Sequence, residues 1–410
     1  MLGKSLAVVA LAASVGAISI SPSLAGSKGA VGTPGWNDTN ANAAGSRANL
    51  AEKVLTPVAV KNVKYLRSIA SPMIPANAPC PLPITAPLLT GGYLYAITNG
   101  YLSKYDPATG KLIWRVKPFP GFRSDYQTLS YSGNLIVVGE AGCQSASAPG
   151  GITVALNAAT GARVWIGGDG AAVVVGTSYV VTENTDAAGY DLSVLKLQDG
   201  TRVWSMSSCL PSGSPIPVVV GLTVMVYGCD SQSRGVLQGR SLATGAVRWT
   251  RFGFGIQSGD LAGPAGKNFY ATGPSRTVED LNPMTGQKKY VLSGAAKVLA
   301  VDASRVYASC AGRKVCAYDI STGVLDWTYT PLINRVTMAA EAGGVLYLND
   351  GIALNAATGH GIKKIWESIT YASPTTVHVG LPSGPITVGD GRLAVVTDPR
   401  VLDLFGLPGY

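Results

Sequence analysis

The chain has 410 residues, 47% of them apolar and only 13% charged, so it can bury a large core and is no disordered polyelectrolyte. Its formal charge of +9 comes from 32 Lys and Arg against 23 Asp and Glu; scattered rather than clustered, this charge argues against nucleic acid and fits a solvated basic surface with affinity for anionic envelope polymers or lipid headgroups. Two histidines are too few for a His-rich metal centre, and neither His360 nor His378 has a nucleophile beside it, which argues against a Ser-His-Asp hydrolase.

Residues 1–25 read as a secretory leader. Lys4 gives the positive start, Leu6 to Ile20 the apolar run, and Ser23-Leu-Ala25 a small-residue cleavage site. The run is too short and wrongly flanked for a good bilayer span. The mature protein is therefore expected outside the cytoplasm, secreted or associated with the cell envelope. Residues 26–50 are rich in Gly, Ala, Asn and Ser, and read as a flexible linker. Residues 51–410 then form one domain.

That domain repeats. Tyr105-Asp-Pro-Ala-Thr-Gly-Lys-Leu-Ile-Trp114, Ala155-Leu-Asn-Ala-Ala-Thr-Gly-Ala-Arg-Val-Trp165 and Ala317-Tyr-Asp-Ile-Ser-Thr-Gly-Val-Leu-Asp-Trp327 share one pattern. Weaker copies end at Trp204, Trp249 and Tyr290, and a seventh, Leu354-Asn-Ala-Ala-Thr-Gly359, reaches its tryptophan only at Trp366. The motif glycines at 110, 161, 200, 245, 286, 323 and 359 are spaced like four-stranded propeller blades, about 40–50 residues each. Short runs rich in β-branched and aromatic residues precede each copy, such as 134–139, 223–227 and 345–348, and read as strands. Asp106, Asn157, Asn282, Asp319 and Asn355 can fold onto the backbone two residues on and open a tight turn. The tryptophan follows on the outgoing strand. Trp114, Trp165, Trp204, Trp249, Trp327 and Trp366 all hold this slot, so they are expected to wedge between neighbouring blades.

Ala-x-Asp-x-x-Thr-Gly-x-x-x-Trp resembles the tryptophan-docking motif of the quinoprotein, or PQQ-type, β-propeller repeats, over residues 85–405. The resemblance implies an all-β propeller. It also implies two kinds of function, because the family holds PQQ-dependent alcohol dehydrogenases and non-enzymatic relatives such as the BamB-type envelope lipoproteins. This chain has no cysteine after its cleavage site to carry a lipid, unlike that lipoprotein branch. Seven motifs predict seven blades. The tail, 385–397 and 400–405, adds three strands without a fourth, so eight blades are favoured. The missing outer strand is then expected from residues 56–66, closing the ring and removing an open edge.

Six cysteines in an exported chain predict disulfides. Cys310 and Cys316 flank one hairpin and form the best pair. Cys209 with Cys229 could staple neighbouring blades, which leaves Cys80 with Cys143. No Cys-x-x-Cys occurs, so metal binding by these thiols is not expected.

The family's dehydrogenases hold calcium and a quinone in the central funnel, with an aspartate base, a vicinal cysteine pair and a tryptophan floor. Here no vicinal pair exists, and the repeat tryptophans are committed to docking slots. No cofactor is therefore expected, with PQQ and calcium as the alternative. Glu183-Asn-Thr-Asp186 with Asp191 is the one concentration of oxygen ligands, but it lacks the spacing of known calcium loops. Segments joining one blade to the next carry Arg123, Asp125, Gln257, Asp260 and Arg335, the candidates for a polar funnel that binds a ligand. The sequence thus predicts a secreted bacterial propeller that acts as a non-enzymatic scaffold, binding protein or an anionic envelope glycan. The alternatives are a quinoprotein dehydrogenase, or a degenerate relative of one, and a ligand-sensing propeller.

Overall fold

The computed structural model describes residues 41–42, 45–70, 85–98, 100–119, 126–141, 151–167, 170–186, 189–208, 217–230, 232, 235–254, 261–263, 267–273, 277–331, 336–366, 386–398 and 401–409. They form eight sheets, each with four antiparallel strands as a blade, and the sheet of blade 7 carries one further short strand paired parallel to it. Blades 1 to 7 span residues 88–116, 126–167, 171–208, 218–252, 261–292, 295–329 and 339–364. The first strands of neighbouring blades touch one another around the ring, which makes them the innermost. The fourth strands form the rim. Among the described residues the helical elements are two short 3-10 turns, Ala59–Asn62 and Ala311–Arg313. The chain is an eight-bladed β-propeller.

The eighth blade is built from both ends of the chain. Ile386–Gly389, Arg392–Asp398 and Val401–Gly406 supply three strands, and Lys64–Ala70 pairs antiparallel with the last of them as the rim strand. The closing strand thus begins at Lys64, not at residue 56. Thr56 and Pro57 explain the difference. Pro57 suits the entry to a helical turn, the Thr56 hydroxyl accepts the Ala59 N–H at 3.3 Å, and the Thr56 carbonyl accepts the Val60 N–H at 2.9 Å. Residues 59–62 coil before the strand starts.

Each blade buries both faces, so the core is divided into layers between neighbours. Tyr270, Val298, Val306 and Tyr318 fill the seam of blades 5 and 6. Leu299, Tyr307, Leu346 and Leu354 fill that of blades 6 and 7. Such nearest-neighbour packing is how repeat folds add stability.

The motif locks the seams. Asp319 Oδ1 accepts the Ser321 and Thr322 N–H groups, both at 2.9 Å, and the Ser321 and Thr322 hydroxyls join them; together they hold this carboxylate down to about 2. Asp106, Asn157, Asn282 and Asn355 make the same turn. The turn ends in a glycine against which the previous blade's tryptophan lies. A Cβ on Gly200 would sit 2.7 Å from the Trp165 ring, and one on Gly359 would sit 2.5 Å from Trp327. The indole N–H then donates to a carbonyl of the same turn: Trp165 to Leu197 O at 2.8 Å, Trp204 to Leu242 O at 2.8 Å, Trp249 to Pro283 O at 2.9 Å and Trp327 to Ala356 O at 3.2 Å. Tyr290 does this for blade 5, lying over Gly323 and donating to Ile320 O at 2.6 Å. Trp114 lies over Gly161 without such a bond.

Trp366 departs from the pattern. It follows its rim strand, Gly361–Lys364, and packs on Phe405 of blade 8, ring centroids 5.8 Å apart. Blade 8 offers no Thr-Gly turn to dock on, because its rim strand comes from the other end of the chain.

Candidate functional site at the closed end of the channel

The segment before the closing strand does not behave as a linker. Ser46, Ala48 and Asn49 are buried. Ala48–Asn49 pairs parallel with the innermost strand of blade 7, Ala339–Ala342, in the register Ala48 to Glu341 and Asn49 to Ala342. Ser46 O accepts the Val301 N–H of blade 6 at 2.8 Å, and Arg47 O accepts the Glu341 N–H at 2.9 Å. Asn49 Nδ2 donates to Val388 O of blade 8 at 2.9 Å. The chain therefore lies across the ends of the inner strands of three blades, then passes blades 7 and 8 on its way to the rim. The linker reading of residues 26–50 fails over 45–49, and the domain reaches further back than residue 51. Ser46, Ala48 and Asn49 are small enough to pack between strand ends, which is why they read as low complexity.

Glu52 ties this strap down. Its Oε1 accepts the Val54 and Leu55 N–H groups at 2.7 and 3.1 Å, and its Oε2 accepts the Gly391 N–H of blade 8 at 3.1 Å. Leu55, with no exposed surface, fills the gap beneath.

A cleft of about 270 Å³ opens beside the strap, lined by Leu50, Glu52, Lys53, Asp302, Ser304 and Glu341, among others. Asp302 Oδ1 accepts the Ser304 and Arg305 N–H groups, each at 2.6 Å, and its Oδ2 accepts the Tyr307 hydroxyl at 2.5 Å. Glu341 Oε1 accepts the Gly344 N–H at 2.9 Å, while Oε2 and the nearby Tyr347 hydroxyl are buried without a partner. Burial, reinforced by Asp302, pushes Glu341 up to about 8. Tyr347 is pushed up by burial and by Glu52 and Glu341. The arrangement is a polar closure. Its carboxylates are mostly spent on backbone N–H groups of strap and turns.

The other sequence candidates are placed as follows. Arg123, Asp125, Gln257, Asp260 and Arg335 lie outside the described residues, as do Cys80, Cys143, Cys209 and His378. Cys229 ends the strand Thr223–Cys229. Cys310 and Cys316 form a disulfide across the hairpin of blade 6, Cα atoms 6.1 Å apart. His360 is exposed in its turn. Glu183 and Asn184 lie on a strand paired with Gly189–Lys196, Asn184 opposite Asp191. Asn184 and Asp191 share one face of the sheet, while Glu183, the next residue on the strand, takes the other, and burial pushes it up to about 8. Among the described residues no group of His, Cys, Asp or Glu is arranged to hold a metal ion, and no helix is long and apolar enough to cross a membrane.

Residues 81–215 and 233–402 match the family model described as outer membrane protein assembly factor BamB. The chain belongs to this family of PQQ-type β-propellers. Solved structures with the same fold include BamB from Moraxella catarrhalis, 19% identical with a TM-score of 0.56, covering 85% of this chain and 98% of that one. The quinohemoprotein alcohol dehydrogenase from Comamonas testosteroni is 13% identical with a TM-score of 0.61, covering 93% of this chain and 82% of its own. A computationally designed protein, Ika8, is 15% identical with a TM-score of 0.60, covering 80% of this chain and 96% of its own. At these identities the likeness speaks for the fold, which both a named assembly factor and a named dehydrogenase use. No curated protein matches the chain in sequence.

Proposed function

We propose that this protein is a non-enzymatic binding scaffold of the bacterial cell envelope, exported by its first 25 residues and presenting loop-built faces to protein partners or anionic envelope glycans. The observation that carries this reading is the strap. Ser46, Arg47 and Asn49 hydrogen-bond to the ends of the inner strands of blades 6, 7 and 8, so the chain's own residues cover that end of the ring. The tryptophans support it too: Trp165, Trp204, Trp249 and Trp327 are spent on seams. A rigid disc presents its loop-built faces for recognition, and fold alone does not import the dehydrogenase activity. The match to an assembly factor's family model points the same way.

Two measurements test the proposal together. Cross-linking in the native envelope, followed by purification of the adducts, should yield a discrete protein or glycan partner. Reconstitution with PQQ, calcium and an artificial electron acceptor should give no saturable turnover. Turnover abolished by altering Asp125 or Asp260 would replace the scaffold with the quinoprotein dehydrogenase.

A further inference from the structure

The cleft beside the strap has the build of a binding site. Glu52, Asp302 and Glu341 bring three carboxylates to its wall, and Lys53 is the one cation among its described lining residues. All three acidic residues are buried, Glu341 to 4% exposure. Leu50 and Lys53 are exposed and mark the mouth. The volume of about 270 Å³ falls just below the roughly 300–1,000 Å³ of sites for larger small molecules, so an occupant must be short.

The carboxylate oxygens are not equivalent. Both oxygens of Glu52 accept backbone N–H groups, of Val54, Leu55 and Gly391. Both oxygens of Asp302 are engaged by Ser304, Arg305 and Tyr307. Glu341 Oε1 accepts the Gly344 N–H, and Glu341 Oε2 is left without a partner. Protonation does not repair this, because a carboxyl O–H needs an acceptor of its own, and the Tyr347 hydroxyl is equally unpartnered. A buried polar atom without a partner carries its full desolvation cost. The group that repairs it is a positively charged donor, since Asp302 and Glu52 line the same space.

A divalent metal ion is a poor fit. Calcium takes roughly six to eight oxygens and magnesium an octahedron, whereas the other oxygens here are engaged by backbone and hydroxyl donors. An ammonium needs one strong acceptor in a negative surrounding, and it comes on a narrow methylene stem. Leu50 and Ala303 can line that stem. We propose that the strap cleft binds a short aliphatic primary amine in its ammonium form, free or as the side chain of a partner's lysine, with Glu341 as its anchor. This goes beyond the scaffold reading and does not rest on it.

The ammonium competes with a proton for Glu341. Burial, then Asp302, pushes this carboxyl up to about 8. The charged groups that face it are Asp302 of blade 6 and Lys53 of the strap, with Glu52 on the same wall. Arg47 of the strap turns its guanidinium to Leu299 O at 3.4 Å, and Arg305 is paired with Asp326. Glu341 gains its charge as pH climbs, while an alkylamine stays protonated to about pH 10. The amine should therefore bind more tightly at about pH 9 than at about pH 6.5, with release of a proton on binding.

The test is isothermal titration calorimetry of the purified full chain at both pH values, in two buffers of different ionisation enthalpy. The probes are cadaverine, N-acetyl-lysine methylamide and pentanol. Saturable binding of at least one amine is expected, and none of pentanol; the tighter of the two amines tells a free ligand from a lysine side chain. Glu341→Gln keeps the shape and removes the charge, so it should weaken binding about tenfold or more and abolish the proton release. Lys53→Ala, at an exposed position, should tighten binding roughly twofold to threefold by removing a like charge. Thermal melts will show that both variants are folded. The proposal is overturned if neither amine binds saturably, if Glu341→Gln binds as well as the parent, or if pentanol binds equally. Each of these failures leaves the cross-linking test of the scaffold reading standing.

Discussion

The guanidinium of Arg67 lies against Gly110, its Nη2 donating to Ala108 O at 2.6 Å. This is the place that Trp165 takes against Gly200 and Trp204 against Gly245. Ring closure therefore reuses the seam geometry of the repeat with a different side chain. Arg67 stands on the one rim strand that comes from the N-terminal end, and its long stem covers the glycine turn as an indole would.

Arg67→Ala should cost about 1 kcal/mol of stability, the scale of one lost charged hydrogen bond with partial exposure. Denaturant titration will measure it. Limited proteolysis should also cut the variant faster near residues 64–70, where the closing strand is held.

Trp327→Ala should cost about 3 kcal/mol, the lower end for deleting a packed aromatic, because the ring is only half-buried. Gly359→Ala should also destabilise, since φ there is +72° and the new Cβ would meet the Trp327 ring at 2.5 Å. In the double variant the clash has no ring to strike. The two effects should therefore sum to less than their separate costs, and a double-mutant cycle on unfolding free energies checks this.

These two seams show what the sequence makes legible. Where Asx-x-x-Thr-Gly-x-x-x-Trp is complete, turn chemistry and a large aromatic mark the blade, its rim strand and its neighbour. Tyr290 is still recognisable, because an aromatic hydroxyl reaches the same carbonyl. Arg67 is invisible, since an arginine on a surface strand has no distinguishing spacing. The strap is hidden for the opposite reason. Gly45 to Asn49 has no large apolar residue to announce burial, and its contacts are hydrogen bonds to the backbone of strands roughly 250 to 340 residues away. Trp366 shows the limit of the motif, which names a slot but not whether the next blade offers the matching turn.

Stability should fall as pH rises from about 5 to about 8.5. Glu341 and Glu183 are each pushed up from 4.5 to about 8 by burial, and Glu140 to about 7 against the pull of Lys117. Between the ordinary value and these raised values the native state holds protons that the unfolded chain has released, so folding is favoured at the acid end and loses ground until about pH 8. Thermal melts across this range should show the decline. Glu341→Gln should flatten it, because the amide keeps the neutral state that Asp302 and burial impose.

Replacing Cys310 and Cys316 with serine should cost about 2 kcal/mol, as expected for opening a short loop. The loss should appear as a lower melting temperature with unchanged β-sheet content by circular dichroism. An equal melting temperature would mean the pair adds nothing to blade 6.

The central claim is that the protein's own N-terminal segment seats against the ends of the inner strands of blades 6, 7 and 8 and fastens them together. Native-state hydrogen exchange at the Glu341 and Val301 amides, which donate to Arg47 O and Ser46 O, measures it most directly. In the full chain both amides should exchange only through global unfolding, as slowly as the central strands of their blades. Exchange of Glu341 and Val301 within seconds, while those central strands stay protected, would show that the strap is not seated and would remove the observation on which the scaffold reading stands.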